Sequence, residues 1–179
     1  LDIPSADVDY VTGKYGKPRL SGLGKESRIS FNTSSSQDLA VVAVARFPLG
    51  VDVEVVRPFD NASDITSREF TADERGSLGD DPDLSGFFEI WTRKEALVKA
   101  VGKGLAIELG LVDTGWPKRE AVWQGWRVTS FPSIRETVGS IAFPAACHPV
   151  IQPHEFMLHG RPIDIPGRSL PVRSARIPC

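Results

Sequence analysis

The run from Phe87 to Val101, FFEIWTRKEALVKAV, limits the fold more than any other segment. Phe87, Ile90, Trp91, Leu97, Val98 and Val101 recur at three- and four-residue spacing, which predicts one long helix with an apolar flank. Gly102 and Gly104 end it. Yet Lys94, Glu95, Lys99 and, just beyond, Lys103 are interleaved with those apolar residues. Glu95 lies one turn after Trp91 and one turn before Lys99, so these residues share a stripe. A Glu95–Lys99 ion pair would stabilise the helix by only a few tenths of a kcal/mol. It leaves the other lysines unexplained.

A second constraint lies upstream. VDVEVV, Val51 to Val56, alternates apolar and acidic residues and predicts a strand with two unlike faces. Asp52 and Glu54 share one face, while Val51 and Val53 go to the core. Such a pair can be the solvated face of an edge strand, but two carboxylates there repel each other unless a cation lies between them. With Glu95 they form a set of three acids, which suits Mg²⁺, a cation that takes a few carboxylates and completes its shell with waters and phosphate oxygens. Lys99 and Lys103 would neutralise a polyanion on the same metal. Together these residues predict a Mg²⁺-pyrophosphate site. GKGL can also be a plain helix C-cap, and the glycines of GKYGKP can serve a turn as well as a ligand.

Elsewhere, Val8–Tyr10 and Arg28–Asn32 read as strands, and Leu39–Phe47 reads as a buried one from its β-branched residues. A short helix is expected around Asp64–Phe70. Thr71 and Glu74 form a capping box for the next, and Asp83 or Ser85 is the expected N-cap of the long one. AVWQGWRVTSF and GSIAF predict strands of a further sheet. From His154 onward Pro, Gly and Arg dominate without periodicity, and a loosely packed or disordered tail is expected. His148, His154 and His159 fit no compact zinc motif.

A chain of 179 residues makes one domain or two small fused ones. The net charge of −2 argues against a protein that coats nucleic acid. Carboxylates dominate from Gly50 to Glu95, and arginines dominate after His159. Cys147 and Cys179 make no disulfide framework, which predicts a cytoplasmic protein, and no apolar run approaches a membrane span. The first residue is Leu and the one Met is Met157, so the chain is expected to be processed, tagged or part of something longer.

GVDVE (Gly50 to Glu54) followed by WTRKEALVKAVGKGL resembles the paired signature of 4'-phosphopantetheinyl transferases of the surfactin-synthetase type. GKYGKPRL matches that family's Gly-Lys-Pro loop, and ISFNTSSS sits where it has Phe-Asn-x-Ser-His-Ser. FTADE matches a segment bearing an intermediate glutamate, and the resemblance runs from about Val8 to Pro149.

The resemblance implies an α+β fold made of a pseudo-twofold pair of similar α/β halves, with coenzyme A in the cleft between them and the first half truncated. Residues 1–50 would be the remainder of that half, 51–153 the half carrying the metal site, and 154–179 an irregular tail. Asp52, Glu54 and Glu95 would hold Mg²⁺, and Lys99 and Lys103 would meet the phosphates. Lys17 and the Ser34–Ser36 run, Ser34 and Ser35 above all, would lie along the nucleotide. The implied reaction moves the phosphopantetheine arm of coenzyme A to a serine of an acyl or peptidyl carrier protein, releasing 3',5'-ADP. The enzyme is expected to be a monomer.

By the same resemblance Glu95 is the first candidate for the base that takes the serine proton, directly or through a water, with Glu74 second. Ser35 replaces the family's histidine. A carrier-binding module without full catalysis and a metal-dependent nuclease are the alternatives, the second disfavoured by the missing basic footprint.

Overall fold

The computed structural model describes residue 4 and residues 7–22, 28–58, 60–79, 84–102, 107–131 and 136–154. Two units are distinguished, Leu1–Ala145 and Ala146–Cys179. The second is described only over residues 146–154, which form no helix or strand. The tail expected after His154 lies outside the described residues, as do Lys103, Gly104 and Asp83.

In the first unit, β1 (Tyr10–Thr12) and β2 (Pro18–Leu20) form an antiparallel hairpin. Its loop is the GKYGKP segment, closed by the Gly13 N–H on the Lys17 carbonyl, with Gly16 at φ 80°. β3 (Ser30–Ser36) pairs antiparallel with β4 (Leu39–Ala45). The strand expected over Arg28–Asn32 thus starts later and continues through the whole serine run. β4 is not the buried strand its composition suggests, since Val42 is 62% and Val44 63% exposed. β-branched residues fit a pleated strand whether or not its outer face is covered.

β5 (Gly50–Val55) opens a four-stranded antiparallel sheet of order β5-β8-β7-β6, completed by β6 (Glu120–Trp123), β7 (Trp126–Phe131) and β8 (Thr137–Pro144). Gln124 and Gly125 both take positive φ, as a two-residue turn between β6 and β7 requires. Between β5 and β6 come α1 (Ala62–Glu69), α2 (Ala72–Leu78) and α3 (Leu84–Val101). The fold is therefore mixed α/β. The capping box at the start of α2 is formed in both directions, Thr71 Oγ1 accepting from the Glu74 N–H and Glu74 Oε2 from the Thr71 N–H. Gly102, at φ 71°, ends α3 as expected. No helix among the described residues is long and apolar enough to cross a membrane.

α3 supplies both apolar clusters. Phe87, Phe88 and Ile90 pack with Phe70, Leu78 and Val138, while Ala96, Leu97 and Ala100 pack with Val112, Val128 and Ala142. The helix lies on the face of β5 that carries Gly50, Asp52 and Glu54, and the two backbones meet at Gly50. A Cβ there would run into the Ala96 carbonyl oxygen and the Ala100 nitrogen. Gly50→Ala should therefore destabilise the protein by about 1–3 kcal/mol or more, the range for overpacking. Urea unfolding checks it, and a midpoint equal to the parent's would contradict this packing.

Two cations of α3 are core residues. Lys94 is fully buried, 2.8 Å from Glu74 Oε2, and donates to the carbonyls of Leu109 and Val112. Arg93 donates to Ser130 Oγ and to the carbonyls of Thr114, Lys118 and Arg119. They satisfy the polar backbone of the irregular connection before β6, which the apolar core could not. Glu74 is fully buried too, and its Oε1 accepts from the N–H and the hydroxyl of Thr114. Burial opposes the charge of Glu74, but Lys94 and the hydrogen bonds from Thr114 and Thr71 hold its carboxyl below the usual glutamate value.

A group whose folded pKa is depressed contributes stability above its unfolded pKa and loses it as pH falls through the folded one. Glu74→Gln, which leaves Lys94 without its counter-charge, should cost about 3–5 kcal/mol near neutral pH. The gap to the parent should narrow as acid protonates Glu74. Thermal melts across pH check both; equal stability at neutral pH would contradict the role given to the pair.

Candidate active site

As the edge of its sheet, β5 has a backbone partner on one side only, β8. On the other side its N–H groups are taken by side chains of β3. Asn32 Oδ1 accepts from Val51 at 2.8 Å, Ser34 Oγ from Val53 at 3.4 Å and Ser36 Oγ from Val55 at 3.1 Å. The period of two in a strand brings all three residues to the same side.

The same serines reach the acids of β5. Ser34 Oγ donates to Asp52 Oδ1 and Ser36 Oγ to Glu54 Oε2, each at 2.7 Å. From α3, Lys99 Nζ comes within 2.6 Å of Asp52 Oδ1 and 3.1 Å of Ser34 Oγ. Asp52 is 4% exposed, and its Oδ2 is buried without a hydrogen-bond partner among the described residues. Burial raises the Asp52 carboxyl above its ordinary value, outweighing Lys99 and Ser34. Glu95 is raised as well, first by burial and then by the negative charge of Asp52, with Glu54 adding to it and Lys99 opposing.

Asp52, Glu54, Trp91, Glu95 and Lys99 line a cleft of about 720 Å³, whose other wall is formed by residues of β3 and β4, including Ser34 and Ser35. Trp91, Glu95 and Lys99, which share one stripe of α3, all line the cleft, while Trp91 also packs against the first apolar cluster. Among the described residues no three His, Cys, Asp or Glu side chains come together as a ready-made metal cage. The donor set nevertheless suits a hard cation, because a buried carboxylate oxygen lacks a partner, burial raises the carboxyl of Asp52, and burial together with the charges of Asp52 and Glu54 raises that of Glu95.

Other expected residues lie elsewhere. Glu74 is held in the core by Lys94, Thr71 and Thr114 and does not line the cleft. Lys17 Nζ donates to the carbonyls of Leu49, Lys99 and Ala100, tying the β1–β2 loop to the end of α3. Burial lowers its pKa, with Arg19 adding to the effect. Lys103 is outside the described residues. Two participants escape sequence reasoning, Asn32 and the bond from Ser36 to Glu54. The signal available is the unbroken polar run after Phe31 in FNTSSS, of which a strand turns every second residue to one side as a row of donors and acceptors.

The sequence pattern of the 4'-phosphopantetheinyl transferase superfamily matches residues 48–143, more than half of the chain. The 4'-phosphopantetheinyl transferase gsp of Aneurinibacillus migulanus is 33% identical over 112 residues, 61% of this chain and 44% of that protein. The transferase psf-1 of Bacillus pumilus is 36% identical over 110 residues, 60% of this chain and 45% of its own. HetI of Nostoc sp. is 36% identical over 122 residues, 64% of this chain and 52% of its own. The chain spans about half the length of these curated relatives. Since the matched span contains both the Gly50–Glu54 strand and the Trp91–Lys99 stripe that line the cleft together, the chain belongs to the 4'-phosphopantetheinyl transferase superfamily.

Proposed function

We propose that this protein transfers the 4'-phosphopantetheine arm of coenzyme A to a serine of an apo acyl or peptidyl carrier protein. The observation that carries the reading is Asp52, Glu54, Glu95 and Lys99 lining one cleft within the span shared with the family. The serine oxygen forms a bond to the β-phosphorus, the bond from that phosphorus to the bridging oxygen breaks, and 3',5'-ADP leaves. Asp52, Glu54 and Glu95 would hold Mg²⁺, which when bound offsets negative charge on the pyrophosphate as it divides.

Glu95 accepts the serine proton, directly or through a water. Its carboxylate lines the cleft beside Asp52 and Glu54, where the attacking serine would have to enter, and that placement suits the step. Glu74, with its oxygens engaged in the core, is the weaker candidate. Lys99 brings positive charge to the cleft for the phosphates. Ser34 and Ser35 lie on the cleft wall, where the nucleotide would run. Lys17 would reach it only by leaving the carbonyls it now holds.

The same reading takes residues 1–50 as the remainder of one half of a pseudo-twofold pair, 51–153 as the other half and 154–179 as a tail. It places the protein in the cytoplasm as a monomer.

Incubation with coenzyme A, Mg²⁺ and an apo carrier domain, followed by mass spectrometry of the carrier, tests the proposal. The expected result is a gain of one phosphopantetheine, with release of 3',5'-ADP. Glu95→Gln should slow transfer by roughly 10²–10⁴-fold, the usual worth of a general base, while melting stays near the parent's. A carrier of unchanged mass would overturn the proposal, and normal transfer by Glu95→Gln would overturn the role of Glu95.

A further inference from the structure

Two serines of β3 each bond both to the backbone of β5 and to an acid that β5 carries, and Ser34 accepts from Lys99 Nζ as well. Ser36 is buried. Its Oγ accepts the Val55 N–H at 3.1 Å and donates to Glu54 Oε2 at 2.7 Å. A hydroxyl has one proton and an ionised carboxylate only accepts. With a backbone N–H as donor on one side, the proton is directed to the carboxylate on the other. The backbone of β5 thereby fixes, through Ser36, where the Glu54 side chain points. Ser34 repeats the arrangement, taking the Val53 N–H and donating to Asp52.

The third member of the row serves as an internal comparison. Asn32 accepts the Val51 N–H, but the strand residue preceding Val51 is Gly50, which has no side chain to orient. Where β5 carries an acid before the bonded N–H, β3 carries a serine. Where it carries a glycine, β3 carries an asparagine. Capping the N–H groups alone does not require this difference.

We infer that Ser36 is a positioning residue that holds the Glu54 carboxylate ready to bind a divalent cation, as Ser34 holds Asp52. The inference rests on the reading of Asp52, Glu54 and Glu95 as cation ligands. A free glutamate side chain samples several rotamers, and ordering it opposes binding. A bond made before the cation arrives removes that ordering from the binding step. Partners that orient carboxylate ligands in this way typically govern metal affinity by roughly 10–100-fold.

The test is a titration of the full chain with Mn²⁺, read by its paramagnetic resonance signal, beside thermal melting without metal. Glu54→Gln should lose most of the Mn²⁺ binding. Ser36→Ala should weaken it by about 10-fold or more, and Ser36→Thr, which keeps the hydroxyl, should stay closer to the parent than Ser36→Ala does. Should Ser36→Ala not fold, Ser36→Cys, similar in size and a poor donor, carries the same expectation. If Ser36→Ala melts lower but binds Mn²⁺ as tightly as the parent while Glu54→Gln does not, Ser36 only caps Val55 and the inference is overturned. If Glu54→Gln also binds as the parent does, the cation site itself is wrong and the inference goes with it.

Discussion

The row of hydrogen bonds from Asn32, Ser34 and Ser36 to the outer N–H groups of β5 is the constraint on which the site depends. An edge strand normally leaves those groups to water or to another chain. Here side chains take the place of a neighbouring backbone, so the β3–β4 hairpin lies against the larger sheet without extending its ladder. Ser34 Oγ, Asp52 Oδ1 and Lys99 Nζ meet at one point, and these atoms come from β3, β5 and α3. Gly50 allows the helix close enough for that meeting.

α3 carries charge on more than one flank, and each charge has a separate explanation. Arg93 and Lys94 turn into the core, where carbonyls and Glu74 satisfy them. Glu95 and Lys99 turn to the cleft. The difference lies in the completeness of the partners. The buried pair of Glu74 and Lys94 is surrounded by further hydrogen bonds, as an interior ion pair must be. Asp52, by contrast, keeps an unpartnered buried oxygen, and its carboxyl and that of Glu95 are both pushed upward. That incomplete satisfaction supports the proposed reading of these acids as cation ligands.

Much of this was legible in the sequence, because it depends on short periods. The period of two put Asp52 and Glu54 on one face, and the helical period put Trp91, Glu95 and Lys99 on one stripe. The Thr71–Glu74 capping box was readable from spacing alone. Contacts distant in sequence were not. Nothing local announces that Lys94 meets Glu74 and the Leu109 and Val112 carbonyls, or that Lys17 ends on the last turn of α3. The serine run was hidden for a related reason, since Ser has no strong strand preference and becomes a strand here by pairing with β4. The β4 valines misled in the opposite direction, their strand preference standing in for a burial they do not have.

The proposed reaction requires that Asp52, Glu54 and Glu95 together receive one divalent cation. Crystals grown with coenzyme A and Mn²⁺, with diffraction recorded near the manganese absorption edge, test it most directly. An anomalous peak is expected within about 2–2.5 Å of carboxylate oxygens from all three residues, ordinary ligand distances for hard cations on oxygen. A fully occupied peak elsewhere in the cleft, with Lys99 still bonded to Asp52 and none of the three acids in contact with the metal, would contradict it.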